Sequence, residues 1–220
     1  MLLPSVLIVL SIDNMKNVFP LVAVALLLFL GTGCSAPKLV EGETTSLETI
    51  NINEVPMDTL AFPGTLLQEE IAGKQIRIQT GKGDIVFELF ANTAPLAVSN
   101  MIYLTQQGYF DQLTFHRRVE GFVIQGGDPN GDGTGGPGYT FADELSDQYS
   151  YQKGIVAMAN RGPDTNGSQF FIMLEDYALP KAYTIFGRVI EGQEVVDAIA
   201  IGDVMTSVTV EDQATVLEKE

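Results

Sequence analysis

The stretch Phe115-His116-Arg117-Arg118-Val119-Glu120-Gly121-Phe122-Val123-Ile124-Gln125-Gly126-Gly127-Asp128 decides how the chain reads, because it sits among short strand-like runs punctuated by glycine. Two of those runs are Thr114 to Arg117 and Phe122 to Gln125, and others follow at Ile155 to Ala159, Gln169 to Leu174 and Thr184 to Val189. A β-branched, alternating run extends from Met205 to Val216. Upstream, Gln75 to Thr80 and Asp84 to Phe90 alternate polar and apolar residues on either side of Gly81-Lys82-Gly83, the pattern of a hairpin. Only two segments carry helical spacing. Pro95 opens the first near the capping oxygens of Asn92 and Thr93, with Ala97, Val98, Met101 and Leu104 on one face and Gly108 as its stop. The second covers Gln193 to Ala200, with Val195, Val196 and Ile199 inward and Gly202 ending it. Many short strands with two helices describe a closed or sandwiched all-β domain.

Outside this region the texture changes. The chain has 220 residues, enough for one ordinary domain with tails. Residues 34–70 place Glu41, Glu43, Glu48, Glu54, Asp58, Glu69 and Glu70 among Ser, Thr, Pro and Gly without a sustained period, which reads as an acidic flexible linker. The folded domain is then 71–220. A formal charge of −16 repels phosphate backbones, so nucleic acid is excluded as a partner. Cys34 is the only cysteine, so there is no internal disulfide.

Residues 1–33 read as a targeting segment. Met15-Lys16, the apolar run Val18 to Leu30 and the small residues Gly31-Thr32-Gly33 have the order of a secretory signal, with Met15 the better starting methionine. Followed by Cys34, this resembles a bacterial lipoprotein signal, although Leu30 lies one place further from the cysteine than that pattern prefers. The expectation is an exported lipoprotein, anchored to a membrane through a lipid on Cys34 and facing the periplasm or another extracytoplasmic compartment. An uncleaved anchor, or ordinary cleavage leaving an unused thiol, are the alternatives.

The quoted stretch, with Gly133-Thr134-Gly135-Gly136 and with Met158-Ala159-Asn160-Arg161-Gly162-Pro163-Asp164-Thr165-Asn166-Gly167-Ser168-Gln169-Phe170-Phe171-Ile172, closely resembles the signature segments of the cyclophilins. The resemblance runs from about Lys74 to about Leu217 and keeps the order of segments. It implies a closed eight-stranded antiparallel barrel capped by two helices, with an active groove on its outside. It also implies peptidyl-prolyl cis-trans isomerase activity on proline-containing polypeptides, assisting folding.

The chemistry of that reaction sets its own demands. Rotation about an Xaa-Pro bond moves no proton and breaks no covalent bond, so neither nucleophile, metal nor cofactor is required. It needs an apolar socket for the ring and a donor that favours the twisted amide. Phe122, Val123, Phe171 and Leu179 suit the socket, Arg117 the donor, and Gln125 and Gln169 the positioning of the backbone. The Asn160 main chain could pair with the residue before the proline. The resemblance adds Gly133, Ala159, Arg161 and Tyr183 to the substrate-binding set. There are three departures. The chain has no Trp, and either Tyr177 or Ala178 falls where many cyclophilins carry the tryptophan that forms part of the cyclosporin surface. Tyr183 replaces the usual histidine, and Val123 a common methionine. A monomer is expected. The alternative function is a module that binds proline segments without turnover, as a chaperone or scaffold.

Plainer readings compete at several positions. Phe170 and Phe171 are adjacent in a strand, so only one can enter the core, and the groove suits Phe171. His116 has no proton transfer to assist and reads as structural. Asp128-Pro129-Asn130-Gly131-Asp132-Gly133 starts like a calcium loop but reaches Tyr139 where a bidentate Glu is needed. Gly131, Gly133 and Gly136 satisfy a nucleotide-loop spacing, yet Pro137-Gly138 cannot readily open a helix.

Overall fold

The structure is a computed structural model that describes residues 60–213; the targeting segment, Cys34, most of the acidic linker and the end of the last expected strand lie outside them. In chain order the elements are α1 (Gln68–Ile71), β1 (Lys74–Thr80), β2 (Gly83–Leu89), α2 (Pro95–Gln106), β3 (Arg117–Val119), β4 (Val123–Gly126), β5 (Ile155–Met158), β6 (Phe170–Met173), β7 (Ile185–Glu191), α3 (Gln193–Ala198) and β8 (Met205–Asp212). The strands form one sheet in the order β3-β4-β6-β5-β7-β2-β1-β8, and every pairing is antiparallel. No helix among the described residues is long and apolar enough to cross a membrane.

The alternation seen in β1 and β2 buries one face of the hairpin. Ile76, Ile78, Ile85 and Phe87 are fully inside, joined by Ile124, Val156, Phe170, Ile172 and Phe186 from the other strands. Each such side chain stabilises the fold by about 1.5–3 kcal/mol. Helix α2 packs against β8 and α3 against β2. Gly108, at φ +67°, ends α2 because a left-handed residue there stops the helix without a Cβ penalty.

The expected closed barrel is corrected to a curled sheet whose ladder stays open between β3 and β8. Strand β3 has only three residues, and Thr114 to His116, expected to be strand, contribute just a single bridge from Thr114 to Val204. A few backbone bonds span the gap where the two edges begin: Phe115 N–H donates to Asp203 C=O at 2.9 Å, and Met205, the first residue of β8, donates its N–H to Leu113 C=O at 2.8 Å.

Two local expectations also change. Neither Asn92 nor Thr93 caps α2; its first turn is held by Glu144, whose carboxylate accepts from the Leu96 and Ala97 N–H groups at 2.9 Å each. The helix end carries partial positive charge and unpaired donors, which a distant carboxylate satisfies as well as a local hydroxyl. Residues 60–70, assigned to the linker by composition, instead contact the core through Leu60, Phe62 and Leu66. The Phe62 ring stacks on Phe141 at 5.1 Å, and Leu66 N–H donates to Ser99 Oγ at 2.9 Å. The boundary at residue 71 therefore falls within packed structure.

Phe62→Ala is expected to lower stability in urea melts by about 1–3 kcal/mol, less than a full core truncation because the ring is partly exposed; an unchanged midpoint would return this segment to the linker. Burial holds the Glu144 carboxyl above the usual range, which its two backbone donors only partly offset. A carboxyl raised in the folded state contributes stability that is present at low pH and lost as pH rises through its folded value. Relative to Glu144→Gln, the wild type should lose ground as pH rises from the ordinary carboxylate range through the raised folded value, and a wild-type advantage that grows with pH would contradict this.

Candidate active site

Cross-strand register builds the site. Arg117 on β3 faces Gln125 on β4, Gln125 faces Phe171 on β6, and Phe171 faces Ala157 on β5. Residues directly opposite in antiparallel strands share a face, so a guanidinium, an amide, a ring and a methyl stand in one row on the outside of the sheet. The next row, Ile124, Ile172 and Val156, points into the core. Phe170 is accordingly inside and Phe171 outside, where it joins a separate apolar cluster with Val123, Met173 and Tyr151.

Over this row lies a notch of about 200 Å³ lined by Arg117, Phe122, Val123, Gln125, Ala159, Asn160, Phe171, Leu179 and Tyr183. These residues come from four separate stretches of the chain. Gly133, Arg161 and Gln169 lie outside the notch, in an adjoining cavity of about 650 Å³ that shares Gln125, Ala159 and Asn160 with it. Of the two residues left open for the tryptophan position, Tyr177 packs its ring 4.8 Å from that of Phe122. Tyr183 stands edge-on to Phe171 at 5.5 Å.

Arg117 is exposed and pairs with no carboxylate among the described residues. Its Nη1 donates to Gln125 Oε1 at 3.1 Å, which aims the guanidinium while leaving most of its donors uncommitted. Gln125 Nε2 donates to Gln169 Oε1 at 2.9 Å, and Gln169 Nε2 donates to the Gly133 and Gly135 carbonyls at 3.1 and 2.9 Å. Each amide thus has one donor neighbour and at least one acceptor neighbour, an arrangement that fixes its orientation. The chain of bonds ends at Asp128, which is buried and whose carboxylate accepts from the N–H groups of Asn130, Asp132, Gly133 and Gly135. At Gly135 a Cβ would stand 2.2 Å from Asp128 Oδ1, so no side chain fits without dismantling the cradle.

Those four backbone donors occupy both oxygens of Asp128, so the loop that starts like a calcium site is organised by its own main chain. No group of three or more His, Cys, Asp or Glu among the described residues is placed to hold a metal ion. His116 is absent from the notch; its ring nitrogens are buried without partners, and burial first of all lowers its pKa. Asn160, one of the notch walls, ties its side chain to the Ala182 carbonyl at 2.8 Å.

Sequence reading missed the structural part played by Asp128 and Tyr151. An Asp ahead of a Gly/Asn-rich run is an Asx-turn signal, which would have pointed to loop-building before calcium. Tyr151 donates its hydroxyl to the Tyr183 carbonyl at 2.9 Å and accepts from the Tyr183 N–H at 3.1 Å, a contact across the fold that no local pattern announces.

The family described as "Cyclophilin type peptidyl-prolyl cis-trans isomerase/CLD" matches residues 75–219. The chain is 44% identical over 135 residues to a peptidyl-prolyl cis-trans isomerase of Helicobacter pylori, covering 60% of this chain and 83% of that one. It is 46% identical over 129 residues to peptidyl-prolyl cis-trans isomerase B of Bacillus subtilis, covering 58% and 90%. A crystal structure of a Cryptosporidium parvum cyclophilin-type isomerase superposes with a TM-score of 0.60 at 35% identity, covering 64% of this chain and 99% of that one. The chain belongs to the cyclophilin-type peptidyl-prolyl cis-trans isomerase family. Its activity is accordingly the interconversion of cis and trans Xaa-Pro bonds.

Proposed function

We propose that the notch is the proline socket and that Arg117 is the group that lowers the rotational barrier, in an isomerase that assists the folding of exported or membrane-associated proteins. The observation that carries the reading is a guanidinium with no carboxylate partner among the described residues, aimed by Gln125, at the rim of an apolar notch formed by Phe122, Val123, Phe171 and Leu179. The prolyl ring fills the notch and loses its water. The Asn160 main chain pairs with the preceding residue and holds that side of the amide still. Arg117 donates to the prolyl carbonyl, or to the amide nitrogen once twisting has localised its lone pair. The bond to the nitrogen forms only once the amide is twisted, and such a bond accelerates a reaction whose barrier is amide resonance, whereas the bond to the prolyl carbonyl holds the ring in place. The glutamine pair and the Asp128 cradle keep the donor in place, so little reorganisation is needed at the moment of rotation. A similar Cryptosporidium parvum isomerase, at TM-score 0.59, was solved in the presence of the dipeptide Ala-Pro, which supports proline-containing polypeptides as substrates.

Export and anchoring are part of the proposal. The basic start at Lys16, the apolar run to Leu30 and the small residues before Cys34 support a lipid on that cysteine, with the domain a monomer at the end of an acidic tether.

Arg117→Ala should lower kcat/KM on a short Xaa-Pro peptide by about 100-fold or more, the usual cost of removing one preorganised transition-state donor, while the melting temperature stays near wild type because the side chain is exposed. Unchanged acceleration would remove Arg117 from the chemistry. Metabolic labelling with a fatty acid should mark the wild type and fail on Cys34→Ala; equal labelling of both would dispose of the anchor.

A further inference from the structure

The outer row of side chains does not stop at the notch. Beyond Ala157 it continues to Ile185 on β7, and Ile185 forms part of a further cleft of about 180 Å³, close in volume to the notch itself. Leu179 and Tyr183 are walls of both. A single apolar cluster underlies the pair, running from Val123 and Phe171 to Ile155 and Ile185. The cleft adds Leu145, Tyr149 and Tyr151 as walls of its own.

These walls are set before any ligand arrives. Tyr149 stacks on Phe90 at 4.0 Å with Arg188 5.8 Å from its ring centre, and the Tyr151 hydroxyl is committed to the Tyr183 backbone in both directions. With that hydroxyl bonded, Tyr151 has apolar ring surface to offer rather than a polar tip. Leu145 is 44% exposed, a large apolar side chain with almost half its surface open to water. Lys181 and Asp147, both on the cleft wall, form an ion pair that ties the segment around 147 to the segment around 181. The cavity on the other side of the notch is different in kind, lined by glycines, threonines, Gln169 and Arg161.

We propose that this cleft is a second side-chain subsite of the isomerase. It takes one apolar side chain, of leucine or phenylalanine type, from the same polypeptide whose proline occupies the notch. The proposal rests on the notch being the proline site. The continuous floor and the two shared walls single out this occupant, because an extended chain leaving the notch past Leu179 and Tyr183 meets the cleft next. A side chain buried there is held equally in the planar and twisted states, so it lowers KM and leaves kcat alone.

The test uses the full chain and longer peptides built around one Xaa-Pro unit, with leucine replacing serine at one flanking position at a time. One position should lower KM about tenfold, the gain expected from burying most of such a side chain, with kcat unchanged. Leu145→Ser should reduce that gain to about twofold or less and turn over the all-serine parent peptide like the wild type. In NMR spectra the leucine methyls should show NOEs to the Tyr149 or Tyr151 ring. The absence of any position that distinguishes leucine from serine would overturn the proposal, as would a gain undiminished in Leu145→Ser. Concentration-dependent shifts of the same tyrosine resonances without peptide would assign the cleft to a second copy of the chain and overturn it too. Failure of the notch reading looks different, since turnover of the parent peptide would then survive Arg117→Ala.

Discussion

Everything at the active face depends on the pairing register of β4 with β6. Gln125 opposite Phe171 puts an amide and a ring on the outside, and Ile124 opposite Ile172 puts two apolar side chains in the core. A slip of one residue would exchange the rows, burying Gln125 without its partners and leaving two isoleucine-sized groups in water. Both consequences are costly, so the hydrophobic core that stabilises the fold also selects the one register in which Arg117, Gln125 and Phe171 line up. Folding and site assembly are the same event here.

The long connection between β4 and β5 follows the same economy. Without regular secondary structure, its backbone donors would need water, but one buried carboxylate gathers four of them. Charge-assisted bonds of this kind are among the stronger ones, and four on a single carboxylate make the loop a rigid part of the scaffold. Its carbonyls then orient Gln169, which orients Gln125, which orients Arg117. This succession of fixed dipoles holds the guanidinium in place without pairing it to a carboxylate among the described residues, which is the arrangement the proposed role of Arg117 requires.

Much of this was legible in the chain. Alternation located β1 and β2 within a residue, because a strand half in the core must alternate. Adjacent Phe170 and Phe171 announced that one ring would leave the core. The open seam was harder to see, since Thr114 to His116 has strand character and only the distance to β8 decides whether a ladder forms. Residues 60–70 misled by composition: Leu60, Phe62 and Leu66 show no sustained period, yet Phe62 stacks on Phe141, a ring supplied by a distant segment of the chain. Glu144 is a second case, for a cap supplied from a distant segment leaves no local signature at Pro95.

Local periodicity and motifs contiguous along the chain were enough to read the class of fold and to nominate Arg117 and the apolar residues that line the notch. The tertiary structure alone decided which of those residues touch. It separated Gly133, Arg161 and Gln169 from the notch, set the Tyr177 ring against Phe122, and joined the notch to a neighbouring cleft through Leu179 and Tyr183. The physical reason is that register, curl and loop closure bring together side chains far apart in the chain, and their meeting depends on the packing of the whole core rather than on any single segment.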